Sequence, residues 1–301
     1  MNIAGLTLFL LTLGVVTTMI FLNHKILKIT NLYWVWMAIG ALAFIWVLAN
    51  RFIPDWIDYW TKHSITYADP TTQANSKTIS RAFMLDACPC FFSMLMISLI
   101  ADPSRRVARI LAPVALIGGI ISLGTIITNN NDPNENAVWS AAYIFMGLGR
   151  ERCYFIMHWC QITVACGVLL NTPTSGWRVW VSSLGSFFVY LAYVGIVMSI
   201  TKCSWFCTGL AMNDYSPAIG DQPAGEYHIV ADALGFTRAQ YIYCPFILFG
   251  ILLTAGVLVG GVAHDYVFTS KWIWKYGNTR TNDWTRPYDY KNFGNPNRAW
   301  W

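Results

Sequence analysis

Two stretches of this chain set nucleophilic and acid–base side chains inside otherwise apolar runs. The first reads Arg81-Ala-Phe-Met-Leu-Asp-Ala-Cys-Pro-Cys90, the second Cys153-Tyr-Phe-Ile-Met-His-Trp-Cys160. A thiol and an imidazole are the two halves of nucleophilic acyl chemistry. The thiolate attacks a carbonyl, and the imidazole takes the thiol proton and returns it to the leaving group. Cys88 and His158 are the candidates for these roles, with Cys90 as the alternative nucleophile. A place on the second turn of a helix, near Arg81, would favour the thiolate electrostatically. Asp86 either orients His158 or finds another polar partner in the bundle. Gln161 lies three residues from His158 and so shares its helix face. The bland readings are a packed histidine and cysteines acting as small hydrophobes. Cys88-Pro-Cys90 read as a metal or redox pair lacks a second ligand pair, so no metal is expected.

The elements that must position these residues follow from composition. Of 301 residues, 55% are hydrophobic and only 12% charged, with a mean hydropathy of +0.44. An ordinary soluble surface carries roughly twice that charged fraction, so a soluble protein is excluded. The formal net charge of +5 is spread thinly among aromatics, which also excludes a nucleic-acid-binding module. Seven stretches are long and apolar enough to cross a bilayer as helices: residues 1–22, 32–50, 82–101, 110–128, 153–170, 179–200 and 241–263. The expected fold is all-α, a polytopic bundle of about seven transmembrane helices over residues 1–264, with an aromatic and basic cytoplasmic tail over 265–301. The aromatic run Ile53-Pro-Asp-Trp-Ile-Asp-Tyr-Trp60 falls in the second loop and suits the lipid interface. Gly256-Val-Leu-Val-Gly260 matches a helix-packing pattern.

Lysine and arginine set the orientation. Twelve fall on the side holding the Arg105, Arg106 and Arg109 loop and the tail, eight on the other. The expectation is a multi-pass cell-membrane protein with its N-terminus outside and its C-terminus cytoplasmic. An ionisable group inside a membrane helix costs roughly 2.5–3.5 kcal/mol on insertion scales, and only the third and fifth segments, with Asp86 and His158, carry one. Both enter from the outer face, which places Cys88 and His158 at matched depths of roughly 8–9 Å. Pro89 cannot donate to the carbonyl of Leu85, so the helix should loosen there. Cys203, Cys207 and Cys244 fall near the outer face, where an oxidising compartment would allow a disulfide. No nucleotide, dinucleotide, zinc-protease or haem motif is present, and no cofactor is expected.

Leu85-Asp-Ala-Cys88 entering an apolar helix, then a short basic loop, another apolar helix and Tyr154-Phe-Ile-Met-His158, resembles the bacterial YwaF-like integral membrane family and its animal relative, transmembrane protein 164. Uncharacterised multi-pass membrane proteins of mollicutes are similar over the whole chain; the motif likeness is specific over residues 81–171. The resemblance implies an acyltransferase that moves a fatty acyl chain from a phospholipid through Cys88, with His158 as base and acid. The family usually has His or Gln two positions before the cysteine, where this chain has Asp86. The expected donor is a membrane phospholipid and the acceptor a lysolipid or a lipoprotein. The rival is a non-enzymatic membrane component, a transporter subunit or assembly partner, in which Asp86 and His158 satisfy each other.

Overall fold

The computed structural model describes residues 10–14, 33–66, 79–102, 106–128, 141–146, 152–170, 176–201, 226–237, 240 and 243–255. Every regular element among them is helical. In chain order these are α1 (Tyr33–Val47), a π-helical turn (Leu48–Phe52), α2 (Ile53–Thr66), α3 (Ala87–Ala101), α4 (Arg106–Thr128), α5 (Ala141–Met146), α6 (Tyr154–Leu170), α7 (Gly176–Thr201), α8 (Glu226–Leu234) and α9 (Tyr243–Ala255). Four stretches are long and apolar enough to cross a membrane: Ala38–Thr61, Ile79–Ala101, Arg106–Gly124 and Val181–Thr201, with Tyr154–Leu169 a shorter apolar helix. The chain is a helical membrane protein. The count of these spans is four among the described residues, against the seven expected. Most of the expected first segment lies outside the described residues, as do the tail, the glycine pair at 256 and 260, and Cys203 and Cys207. Cys244 is a free thiol.

Helix α4 is central. It lies against α6 most extensively, then α3 and α7, while α1 covers α6 and α3. Small residues allow this closeness, as backbone approach in a membrane bundle requires. A Cβ at Gly119 would sit 2.7 Å from Ile162 and 3.4 Å from the carbonyl of His158 on α6. Pro113 interrupts the α4 ladder, and one turn is tied sideways instead, with the Val114 N–H donating to Ser183 Oγ of α7 at 3.2 Å.

Two helices depart from the expected course. Residues 53–60 are helical rather than a loop, because α1 runs into α2 through the π turn. Pro54 explains the turn: it offers no N–H to the carbonyl four residues back, and the preceding backbone widens so that Ile53 N–H reaches Leu48 O. Arg51 thereby lies within a candidate span and is only 6% exposed, its Nη1 donating to Arg152 O at 3.3 Å.

The expected helix over 82–101 is broken. A helical turn ends at residue 82, Met84 takes a left-handed backbone (φ 52°), and α3 restarts at Ala87. Pro89 thus occupies the first turn, where its missing N–H costs nothing, rather than loosening a continuous helix. The carbonyls exposed by the break are claimed from outside. Trp56 donates to Ala82 O, Tyr193 to Phe83 O and Tyr190 to Leu85 O. Three aromatic donors from α2 and α7 hold a backbone that an unsupported chain would not keep.

The basic loop over 105–109 is also shorter than expected. Arg106 and Arg109 belong to the first turn of α4, and Arg109 is buried. The Val107 N–H is capped by Asp102 Oδ2 at 2.9 Å.

Candidate functional site

Cys88 stands at the second position of α3, because the break delays the helix start from the expected residue 82 to Ala87. The first helical hydrogen bond of this turn runs from Cys90 N–H to Asp86 O at 3.2 Å, so Cys88 lies at the positive end of the helix, whose dipole favours negative charge on the sulfur. Its half-buried thiol lies 3.0 Å from Ser122 Oγ and 3.6 Å from Gly118 O, both on α4. Gly118 and Ser122 are one turn apart and share a face, which the helix period turns toward α3.

His158 sits on α6 and is 3% exposed. Its Nδ1 lies 2.7 Å from Tyr154 O. A carbonyl only accepts, so Nδ1 carries the hydrogen and, in the neutral ring, Nε2 is left as the acceptor, the tautomer a general base needs. The ring packs on that of Tyr154, centroids 4.3 Å apart. The Tyr154 hydroxyl in turn donates to Ser122 O. Ser122 is therefore the junction: its side chain meets the Cys88 thiol and its carbonyl meets the tyrosine whose ring packs at a tilt against His158. Among the described residues, Cys88 and His158 are joined through α4 and Tyr154 rather than by a hydrogen bond of their own.

The supporting residues divide. Gln161 is fully buried, but its Nε2 donates to Ala115 O of α4 at 2.8 Å, so it serves the α4 face rather than His158. A Cβ at Gly118 would lie 3.5 Å from Cys88 Sγ and 3.6 Å from Gln161 Nε2. Gln161 and the thiol thus flank one small space. Asp86 is the N-cap of α3 and accepts from Ser80 Oγ at 3.4 Å, so a hydroxyl across the break is a polar partner. Arg81 stands before the break and, like Arg51 and Arg152, acts on Asp55 of α2 through its charge. Cys90 points elsewhere: it is buried in the main core and its thiol meets Met94 Sδ at 3.7 Å. The two cysteines of Cys88-Pro-Cys90 do not act as a pair. No three His, Cys, Asp or Glu side chains gather as a metal site would need, among the described residues.

Ser122, Tyr154 and Gly118 escape a reading by charge because none is ionised. The signal was present in the spacing of Ala115, Gly118 and Ser122, a small and polar stripe on one face of an apolar helix.

Two relatives match most of the chain. "Uncharacterized protein MG135" of Mycoplasma genitalium is 24% identical over 245 residues, 78% of this chain and 79% of that protein. "Uncharacterized protein MG135 homolog" of Mycoplasma pneumoniae is 26% identical over 235 residues, 74% and 75% respectively. No solved structure matches. The model of a family of unknown function, DUF5378, matches residues 8–285, nearly the whole length, and the chain belongs to that family.

Proposed function

We propose that the protein is a membrane-embedded acyltransferase that carries a fatty acyl chain on Cys88. The observation that supports it most is the placement of a half-buried thiol at the start of α3, just after a helix break, against Ser122 of α4, whose carbonyl binds the Tyr154 hydroxyl beside His158 of α6. In the reading, the thiol proton leaves to Nε2 of His158, through Ser122 or after a small movement. The sulfur then attacks the ester carbonyl of a phospholipid. The ester C–O bond breaks, the departing alkoxide takes the proton from His158 as a lysophospholipid, and the acyl chain remains as a thioester. The resemblance of Leu85–Cys88 and Tyr154–His158 to the YwaF-like family supports the same chemistry. A lysolipid or a lipoprotein then accepts the chain. The finer topology belongs to this proposal too: seven crossings of the cell membrane, N-terminus outside and the 265–301 tail cytoplasmic.

A second reading, a non-enzymatic transporter subunit or assembly partner, draws on one observation. Two adjacent helices are interrupted, at the π turn over Leu48–Phe52 and at residues 83–86, and Trp56 ties one to the other. Interrupted membrane helices commonly flank solute and ion sites. Release of lysophospholipid from a labelled donor by the purified protein separates the two. The enzyme reading expects release that Cys88→Ser abolishes. Release unchanged in that variant, or absent with every donor class, sinks it in favour of the second reading.

A further inference from the structure

Helix α2 has two unlike faces. Ile53, Trp56, Ile57 and Trp60 recur at the spacing of one helix face and are all exposed, an apolar and aromatic stripe suited to the boundary between lipid tails and headgroups. Asp55 lies off that stripe, and the charges of Arg51, Arg81, Arg152 and Asp58 act on it. These five charges come from three separate parts of the chain: the π turn with α2, the turn before the helix break, and the turn leading into α6. Arg51 is buried within a candidate span, where a cation is expensive. Its Nη1 donates to Arg152 O and meets Met157 Sδ at 3.6 Å, and neither of those groups is charged. Arg152 itself is exposed. Three cations against two carboxylates leave one positive charge in excess among these residues, the complement of one phosphodiester. The excess stands at the end of the bundle that holds Cys88: Arg81 precedes the break and α3, Arg152 precedes α6, and Ser122 of α4 reaches the start of both helices.

We infer that this arginine cluster binds the phosphate of a membrane glycerophospholipid, with the exposed Arg152 as the contacting residue and Arg51 and Arg81 adding their charge behind it. A guanidinium offers a planar fork of N–H donors that matches phosphate oxygens. The stripe on α2 commits the source: the phosphate arrives on a lipid whose tails lie beside Ile53, Trp56, Ile57 and Trp60, not as a free ion. Asp55 is the competitor for the same guanidinium charges. The site needs no chemistry at Cys88, and only the lipid's role rests on the acyltransferase reading. Under that reading the bound lipid is the acyl donor. Its ester carbonyls lie between phosphate and tails, so a lipid held at this end of the bundle presents them on the side of the thiol. The arginines then choose the substrate class, a phosphate-bearing glycerolipid over a neutral diacylglycerol.

The test uses the full chain in detergent and does not need turnover. Native mass spectrometry reads the Kd of dioleoyl phosphatidylglycerol, of dioleoylglycerol, which lacks the phosphate, and of glycerol phosphate, which lacks the tails. Arg152→Gln is expected to weaken the phospholipid by roughly 5–30-fold, the scale of one charged contact to a headgroup, and to leave dioleoylglycerol unchanged. Arg106→Gln removes an equal charge at the opposite end of α4, where its exposed side chain lies, and should change neither. Asp55→Asn should act in the opposite direction and tighten the phospholipid by roughly 2–5-fold, since the competing carboxylate is gone. A variant that had merely lost structure would not bind more tightly. Phospholipid binding unchanged in Arg152→Gln, or weakened equally in Arg106→Gln, overturns the site, and so does Asp55→Asn weakening it. Glycerol phosphate binding as tightly as the phospholipid overturns the lipid source. If binding behaves as expected but no donor ever yields lysophospholipid, the acyl-transfer reading fails and the phosphate site stands without it. Lysophospholipid release that Cys88→Ser abolishes, with binding indifferent to Arg152, sinks the site alone.

Discussion

Helices α4 and α7 are both long and apolar enough to cross a membrane, yet 56% of the span in α4 is buried inside the protein against 22% in α7. Val189 and Ile200 of α7 are 66% and 76% exposed, a surface suited to lipid tails. In a bilayer the surroundings are as apolar as the core, so hydrophobicity does not say which helix goes inside. The small and polar residues do. Along α4, Ala108, Ala112, Ala115, Gly118, Gly119 and Ser122 let α3 and α6 approach, and the same stripe collects Cys88, Gln161 and Tyr154. Helix α7 has Gly185 and Gly195 too, but a Cβ at either meets nothing within 4 Å. Gly119 in α4 is a spacing device; Gly185 and Gly195 in α7 are not.

The largest effect that sharpens this contrast is chemical. His158→Ala should slow acylation of Cys88 by roughly 10²–10⁴-fold if the imidazole is its base. Single-turnover mass spectrometry measures it, and a rate within a few fold of the parent would return His158 to packing. Next is Gly119→Ala, which forces Ile162 and the His158 backbone to shift and should cost about 1–3 kcal/mol. Denaturant or thermal unfolding in detergent reads it, and a neutral result would mean that α4 and α6 are not held as closely as described. Tyr190→Phe removes the donor to Leu85 O, leaving a buried carbonyl in the helix break, for about 1 kcal/mol. It should also raise hydrogen exchange at residues 83–86 more than at the far end of α3. The smallest effect belongs to α7, where Gly195→Ala should lie within about 0.5 kcal/mol of the parent. A large loss there would show that a partner covers the α7 face.

The ends of α7 were legible in the sequence, 179–200 expected and 176–201 observed, because a charge-free run bounded by Arg178 and Lys202 leaves little choice. The interruptions were not. A window long enough to detect a membrane span averages over a four-residue break, so 82–101 reads as one helix although Met84 reverses the backbone. Pro54 and Pro89 lie close to both interruptions and were visible. What decides whether a proline kinks a helix, starts one or shifts its ladder is the set of carbonyl partners supplied from elsewhere. Trp56, Tyr190 and Tyr193 are remote in sequence from the carbonyls they cap. For the site, charge in an apolar run located Cys88 and His158, while the groups that connect them carry no charge and required the packing of α4 to be found. Gln161 was legible as a polar partner, but its partner proved to be Ala115 O rather than His158.

Residue-resolved mapping of an acyl adduct tests the central claim most directly. The purified full chain is incubated with isotopically labelled phospholipid, digested without reductant, and the acylated peptide is sequenced before and after hydroxylamine. The expected result is a single hydroxylamine-labile acyl group on Cys88, absent from Cys88→Ser and undiminished in Cys90→Ser. An adduct on Cys90 or another cysteine, or an unmodified Cys88 with every donor, contradicts it.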